Sequence, residues 1–205
     1  MKTTDINGLN DRHLIAELVY RWAIARDCDD WDHLRGCFHD DGLIHISWIN
    51  STADDFVRRS ATMAAARRPD SHMKHIIATP WVETCGQRGF CRSNAILHIR
   101  DCVEGVWFDI ESHIRFFDRV EQRDGAWRIV DRTALYDKDR IDLVNTGGVP
   151  HALIEDASTS KHLAAARCLC WWLAGKGLEP LADMIPVYSP AETQLREQCL
   201  AWMKT

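Results

Sequence analysis

An aspartate and a histidine, far apart in the sequence, have the side chains that proton-transfer chemistry needs. Asp27 follows Tyr20 and Ile24 at helical spacing, so we expect its carboxylate to continue an apolar stripe into the interior. A buried carboxylate needs a partner, and histidine suits it, because the carboxylate fixes one ring nitrogen and leaves the other as a base near neutral pH. His75 lies in a β-rich segment on the same, mainly apolar, strand face as Ile77. His75 is therefore either a hydrogen-bonded core histidine or a general base.

Three further polar side chains on predicted strands are candidates for such a site. Arg132 is either a solvent-facing arginine or a cation that stabilises a leaving hydroxyl or an enolate oxygen. His98 and His113 either line a cavity or are ordinary sheet residues. His72 lies at an odd offset from His75, so we expect it to face the other side of the strand.

The sequence has no pattern typical of a metal or nucleotide site. His33, His39 and His45 are scattered over a predicted helix, a turn and a strand, so we predict no metal. There is no glycine-rich dinucleotide fingerprint, phosphate loop or serine-nucleophile motif. We therefore predict chemistry that needs no cofactor.

The composition is that of one globular domain. The 205 residues have 46% hydrophobic and 27% charged side chains, and a net charge of −5 without a basic block. This disfavours disordered, fibrous and nucleic-acid-binding proteins. The apolar runs are too short to cross a bilayer and the first residues are polar, so we expect no secretory signal, no membrane contact and a cytoplasmic location.

The numbers of cysteines and tryptophans carry separate information about the protein. The eight cysteines have no C-x-x-C spacing, so we expect reduced, buried thiols and no disulfides. Nine tryptophans indicate a large apolar cavity or an oligomer interface with rigid aromatic walls. Trp171 and Trp172, near the C-terminus, either pack over the sheet or form a lid that seals an apolar ligand from water.

Helices dominate the N-terminal third of the predicted fold. Leu14, Leu18 and Trp22 recur at helical spacing after Asp11, a plausible N-cap. The predicted elements are helix 11–26, helix 31–38, a turn at 40–42, strand 43–48 and helix 52–68.

Strands dominate the middle of the chain. They are predicted at 72–83 with a kink at Pro80, at 89–100, at 104–120 and, after a hairpin turn, at 126–136. Long antiparallel strands after helices predict an α+β fold. Helices at 160–174 and 190–203 follow. We predict a domain over 8–140 and a helical extension over 141–205 that packs on the same domain.

Several of these segments resemble one known family. Residues 18–23 with Asp27, and the Phe-His-Asp-Asp-Gly of 38–42, resemble the opening elements of the SnoaL-like branch of the nuclear-transport-factor-2-like superfamily. Residues 117–119 and 123–129 resemble its signature hairpin. The resemblance covers about residues 8–140. It implies a cone-shaped, curved antiparallel sheet whose N-terminal helices enclose an apolar cavity.

The resemblance also implies a site. Lyases of this group, such as scytalone dehydratase, bile-acid 7α-dehydratase and hexachlorocyclohexane dehydrochlorinase, use an Asp–His dyad and an arginine on the last strand. The matching positions are Asp27, His75 and Arg132. Tyr20 and Trp22 on the first helix join His98 and His113 as expected substrate-binding residues. These seven positions are the candidate site.

The function implied is that of a cofactor-free lyase, most simply a dehydratase. Its substrate would be a hydrophobic alicyclic or polycyclic alcohol, for example one of the size of a steroid. His75 would remove a carbon-bound proton, Asp27 would orient His75, and Arg132, with His113, would assist departure of hydroxyl. Two alternatives stay open, because the cone hosts many functions: an isomerase or cyclase with the same dyad, and a non-catalytic subunit like the β chain of ring-hydroxylating dioxygenases. The expected partners are a small hydrophobic substrate and further copies of the chain, as a trimer rather than a dimer.

Overall fold

Three N-terminal helices pack against one face of a sheet. The computed structural model describes residues 6–144 and 161–205. The first helix, α1 (Ile6–Asp27), is longer at both ends than predicted. Asp11 therefore lies inside it and is not the N-cap, and its carboxylate accepts a hydrogen bond from Trp127 Nε1 at 3.0 Å. The short α2 (Trp31–Gly36) and the longer α3 (Ala53–Ala65) follow.

Side-chain caps fix where the two shorter helices begin. The Asp30 carboxylate accepts from the His33 backbone N–H at 3.2 Å, at the start of α2. The Thr52 hydroxyl accepts from the Asp55 backbone N–H at 3.3 Å, at the start of α3. Each cap satisfies a backbone donor that a first helical turn leaves unpaired.

The strands form one open, curved sheet, which confirms the α+β prediction. The sheet order is β2-β1-β7-β6-β5-β3, with β4 beside β5 and β8 beside β7. The strands are β1 (Phe38–Ile46), β2 (Ile49–Thr52), β3 (His72–Ile77), β4 (Trp81–Cys85), β5 (Arg88–Val103), β6 (Val106–Arg123), β7 (Ala126–Leu143) and β8 (Ile185–Pro186). The sheet is mainly antiparallel, but β1 and β8 each pair with β7 in parallel.

Two predicted turn signals act differently in the structure. The turn at 40–42 lies inside β1, where the register with β7 shifts between Phe38 and Leu43. Gly42 allows this irregularity, since a Cβ there would lie 2.9 Å from the His39 carbonyl oxygen. Pro80 does not kink one strand; it falls between β3 and β4, which both pair with β5.

The C-terminal helices lie on opposite faces of the sheet. The predicted helix 160–174 begins outside the described residues, and its described part is a 3₁₀ turn (Ala164–Ala166) followed by α4 (Arg167–Gly175). On α4, Trp171 and Trp172 are buried in the same core as the N-terminal helices. The last helix, α5 (Pro190–Lys204), packs Cys199 and Met203 against the outer face. The two described C-terminal helices therefore cover both sides of the sheet.

The main core lies between the N-terminal helices and the inner face of the sheet, where aromatic side chains predominate. Trp22 stacks on Phe56 with ring centroids 6.2 Å apart and meets Phe116 edge-on at 5.4 Å. All eight cysteines are free thiols, and burial raises the pKa of Cys37 to about 11. Among the helices of the described segments, none combines the length and hydropathy that a membrane crossing needs.

Candidate active site

Asp27 lies where the last turn of α1 meets the edge strand β3. Its side chain is 10% exposed, so the expectation of burial holds. The reasoning behind that expectation is wrong, because Tyr20 and Ile24 are 40% and 65% exposed and form no buried stripe. Asp27 is buried because β3 covers the end of the helix, which is a tertiary contact that helical periodicity cannot reveal.

Both oxygens of Asp27 bind the same residue of β3. Oδ1 accepts a hydrogen bond from His75 Nδ1 at 2.6 Å, and Oδ2 accepts from the His75 backbone N–H at 2.7 Å. β3 is an edge strand, so this N–H points away from the sheet and needs a partner outside it. A carboxylate can only accept, so Nδ1 carries a proton. Neutral His75 therefore has its lone pair on Nε2.

The environment of His75 favours this neutral form. Burial lowers the pKa of His75 below its usual value, and the charges of Arg26 and Arg132 lower it further. The hydrogen bond and charge of Asp27 oppose this shift without cancelling it. At pH 7 the imidazole is thus an acceptor at Nε2, which is the protonation state of a general base.

His75 lies on the wall of a small apolar cavity between the helices and the sheet, which we call the inner chamber. Its free volume of about 50 Å³ holds one or two water molecules. Trp22 lines it, with its ring centroid 5.2 Å from that of His75 in an edge-on arrangement. The other walls include Trp48, Phe56, Met73, Ile114, Phe116 and Tyr136.

A larger cavity adjoins the inner chamber, and we call it the outer chamber. It has a volume of about 290 Å³. Four residues line both chambers and form the partition between them: Arg26, Met63, Met73 and Trp172. Trp172 comes from α4 and its Nε1 donates to Asp101 at 2.8 Å. Of the tryptophan pair, Trp171 thus packs on Phe108 of the sheet and Trp172 supplies a cavity wall.

Arg132 lies behind the inner chamber and does not line it. Its Nε and Nη2 donate to the two oxygens of Asp118 at 2.7 and 2.8 Å, and neither side chain is exposed. The guanidinium carbon lies 4.1 Å from the Trp22 ring centroid and 4.4 Å from that of Phe116. The prediction of direct contact with a leaving group is therefore corrected, since aromatic rings cover the guanidinium and Asp118 binds its edge. Nη1 is buried without a partner.

Asp118 is a site-supporting residue that the sequence analysis did not single out as such. It lies opposite Arg132 in the β6–β7 register, and both side chains point to the inner face. Burial raises the pKa of Asp118, while the guanidinium of Arg132 opposes that shift. Its only sequence signal is an acid within a run of strand residues, which usually indicates solvent exposure.

Three predicted substrate-binding residues lie outside both chambers. Tyr20 is on the exposed side of α1. His98 and His113 lie on the outer face of the sheet, with ring nitrogens 3.7 and 3.9 Å from oxygens of Glu111. The reason is strand parity: on β6 the inward side chains are the alternate set that includes Ile114.

The structure also shows a chamber residue that sequence reasoning missed. Arg26 is adjacent to Asp27 and is only 6% exposed although it is charged. In the sequence it marks only the end of the predicted first helix.

In residues 6–144 and 161–205, no three histidine, cysteine, aspartate or glutamate side chains gather closely enough to hold a metal ion.

Comparisons with known proteins agree with this architecture. Residues 7–133 match the model of the SnoaL-like domain. Pea pathogenicity protein 2 from Fusarium vanettenii is 25% identical over 178 residues, which are 85% of this chain and 74% of that protein. A PEP2-like protein from the same fungus is 26% identical over 179 residues, again 85% and 74% of the two chains.

Solved structures share the fold. A type 2 hexachlorocyclohexane dehydrochlorinase superposes with a TM-score of 0.61 at 16% identity, covering 72% of this chain and 99% of that one. A protein from Novosphingobium aromaticivorans provisionally named a scytalone dehydratase gives 0.58 at 17% identity, covering 72% and 100%. The family match spans more than half of the sequence and the folds agree, so the chain belongs to the SnoaL-like domain family.

Proposed function

We propose that the protein is a cofactor-independent lyase that removes water from a hydrophobic alicyclic or polycyclic alcohol. The observation that carries the proposal is the 2.6 Å hydrogen bond between Asp27 and His75 Nδ1 on the wall of an apolar chamber. It leaves Nε2 as the one nitrogen of His75 that can take a proton from a bound ligand. Water exclusion by the apolar walls strengthens such a transfer.

The reaction needs only His75 to move a proton. Nε2 takes a proton from a carbon next to an activating carbonyl, and the electron pair of that C–H bond becomes the new C=C bond. The C–O bond at the neighbouring carbon breaks, and the departing hydroxyl receives the proton from the imidazolium. Water and a conjugated alkene leave, and His75 returns to its neutral state.

Asp27 and Arg132 act on His75 in different ways. Asp27 balances the imidazolium charge during the reaction, and it holds His75 by one hydrogen bond to the ring and one to the backbone N–H. Arg132 contributes from behind Trp22, where its charge lowers the pKa of His75 and its stacking fixes the indole that the histidine meets. We therefore propose Arg132 as a positioning residue.

The chamber volumes restrict how a substrate can bind. The inner chamber admits only the reacting atoms, so the body of an alicyclic or polycyclic substrate has to occupy the outer chamber. Binding then requires the side chains of the partition, such as Met63 and Met73, to move. A steroid-sized alcohol needs both chambers.

Elimination chemistry is among the functions named for structures of this fold. Two solved structures with this fold are named for a dehydratase and a dehydrochlorinase, and both names describe eliminations. An isomerase would use the same base without a leaving group. A non-catalytic subunit would have no need of a fixed, neutral histidine.

One experiment separates these functions. Cyclic β-hydroxy ketones are incubated with the protein in D₂O, and products are followed by the absorbance of a conjugated enone and by mass. A dehydratase produces the enone with loss of water, whereas an isomerase exchanges hydrogen for deuterium and retains the hydroxyl. His75→Ala is the control that must abolish either reaction. Neither product across the panel, or equal rates with His75→Ala, would contradict the proposal.

We further propose a homotrimer in solution. Large apolar side chains stay exposed on the single chain, with Ile76 49%, Trp81 64% and Tyr188 83% exposed. Sedimentation equilibrium at micromolar concentration should give three times the mass of the chain, and a monomer or dimer would contradict this assembly.

A further inference from the structure

Arg26 is a buried arginine without a hydrogen-bond acceptor. It is 6% exposed and lies in the partition between the inner and outer chambers. Its guanidinium carbon Cζ lies 5.8 Å from the Trp31 ring centroid, which is a cation–π contact. Within the described residues, no oxygen accepts a hydrogen bond from its guanidinium.

The neighbouring carboxylates are already occupied. Asp27 and Asp29 are close enough to favour the charged form of Arg26. However, Asp27 uses both oxygens on His75, and Asp29 pairs with Arg67. Burial outweighs their attraction and lowers the pKa of Arg26 to about 10, so the side chain is still charged at pH 7.

The other cations of the outer chamber are all paired. Arg67 binds Asp29, Arg100 binds Asp109 at 2.6 Å and Lys176 binds Asp101. Arg26 is the exception among the four lysine and arginine side chains that line this chamber. Within the described residues, no carboxylate forms a hydrogen bond or an ion pair with Arg26, although Asp27 and Asp29 favour its charged form.

The nitrogens of Arg26 border free space. Nη1 of Arg132 lacks a hydrogen-bond partner and is sealed from solvent. Among the described atoms, no nitrogen of Arg26 is both unpartnered and sealed in this way. Arg26 therefore differs from Arg132, whose donors are used or sealed. Its planar fork of N–H donors is available to a molecule in the chambers and matches two oxygens that share a negative charge.

We infer that Arg26 binds an oxyanion of the ligand at the partition between the two chambers. A carboxylate fits best, because a permanent negative charge neutralises Arg26 as soon as the ligand binds. The same chemistry could come from the substrate carbonyl if it becomes an enolate during the reaction. As a statement about the substrate, the inference rests on the proposed lyase function and names a hydrophobic hydroxy acid. As a binding site, it stands independently of any reaction.

The test compares binding of two naphthalene probes that differ in charge. We measure the affinities of 2-naphthoate, an anion, and 2-naphthalenemethanol, its neutral counterpart, by calorimetry at pH 7.5. The wild type should prefer naphthoate. Arg26→Met should weaken naphthoate binding by about 10–100-fold, the range for a charge-assisted hydrogen bond, and leave the alcohol within about twofold. Arg100→Met, which removes a paired cation of the same chamber and leaves Asp29 bound to Arg67, is the matched control and should keep the preference.

A thermal melt excludes a purely structural role. Arg26→Met removes a buried charge whose burial outweighs the attraction of Asp27 and Asp29, so its melting temperature should equal or exceed that of the wild type. A lower melting temperature together with equal loss of both probes would show that Arg26 supports the fold, and would overturn the inference. Unchanged naphthoate binding in Arg26→Met would also overturn it.

A third probe distinguishes the source of the oxyanion. If the enolate is the group that Arg26 binds, 2-naphthol should bind as naphtholate, visible by absorbance, and Arg26→Met should abolish that ionisation. His75→Gln should bind naphthoate as the wild type does. Arg26-dependent binding without any turnover would therefore contradict the lyase proposal alone, whereas turnover without Arg26-dependent binding would contradict only this inference.

Discussion

Two buried carboxylates on the inner side of the sheet each hold a basic side chain, and the two pairs differ in what they leave free. Asp118 and Arg132 are paired between β6 and β7, with no exposed side-chain surface. Asp27 and His75 meet at the edge strand, where His75 also lines a cavity. The first pair uses its charges on each other. The second leaves Nε2 of a neutral ring for a ligand.

The difference separates stability from reactivity. Breaking one partner of a sealed ion pair leaves an uncompensated charge in the core. Removing a neutral histidine that lines a cavity leaves no such charge, but it removes the base. We therefore expect Asp118–Arg132 to dominate the free energy of unfolding and Asp27–His75 to dominate turnover.

The largest expected effect is on turnover in His75→Ala. The variant should lose activity by a factor on the order of 10²–10⁴, the range for a positioned general base. His113→Ala is the matched control, because His113 lies on the outer face, and its kcat should equal that of the wild type. Steady-state kinetics on the substrate found by the enone assay provides the measurement. Full activity of His75→Ala would remove the basis for the mechanism.

The next effect is on stability in Asp118→Ala. The free energy of unfolding in urea should fall by about 3–5 kcal/mol, because Arg132 is left buried without a counter-charge. Asp131→Ala, which breaks the less buried pair with Arg119, should cost about 1 kcal/mol or less. The double variant Asp118→Leu/Arg132→Met should recover most of the loss. Equal losses of unfolding free energy in Asp118→Ala and Asp131→Ala would contradict a dominant contribution of the sealed pair to stability.

Much of this contrast was accessible from the sequence. The resemblance of residues 18–42 and 117–129 predicts the fold, and it predicts Asp27 and His75 as neighbours although 48 residues separate them in the chain. It did not show that Arg132 is sealed, because an arginine on a strand has the same pattern whether it meets a ligand or a carboxylate. In the sequence, Asp118 is distinguished only as part of the hairpin motif.

His98 and His113 lie outside the two chambers for a single physical reason. Strand alternation shows only which residues share a face of the sheet. The outer face is itself partly covered by α5, against which Phe117 and Leu135 pack. Since both faces include apolar side chains, hydrophobicity does not tell which one encloses the chamber. Arg26 gave no signal, because its burial depends on how the end of α1 meets other elements.

A smaller loss of activity than in His75→Ala, by a factor on the order of 10², is expected in Asp27→Asn. The His75 backbone N–H needs an acceptor, so the amide oxygen should face it and the amide NH₂ should face Nδ1. That donor moves the ring proton to Nε2, and the base is lost while the fold is kept. Asp29→Asn is the control beside it, since Asp29 binds Arg67 and not the histidine. Equal kcat values for the two variants would contradict this role of Asp27.

The smallest effect is the dependence on pH. Because the pKa of His75 is lowered in the folded protein, kcat/KM should fall only below the ordinary value of 6.5. The unfolded chain binds the proton first as pH falls, so the contribution of His75 to stability is complete above pH 6.5 and is lost below it, by at most about 1.4 kcal/mol per pH unit. Urea unfolding of the wild type and His75→Ala between pH 5 and 8 measures this difference. A stability difference that grows as pH falls would mean that the pKa is raised.

The most direct test of the account is the protonation state of the His75 ring in the intact protein. Nitrogen-15 NMR of histidine-labelled protein at pH 7.5, assigned with His75→Gln, reports which ring nitrogen bears hydrogen. We predict a neutral ring protonated at Nδ1 with a bare Nε2 in the wild type, and the opposite tautomer in Asp27→Asn. A wild-type His75 that is protonated at Nε2, whether as the other tautomer or as imidazolium, would contradict the claim that Asp27 prepares this histidine to act as a base.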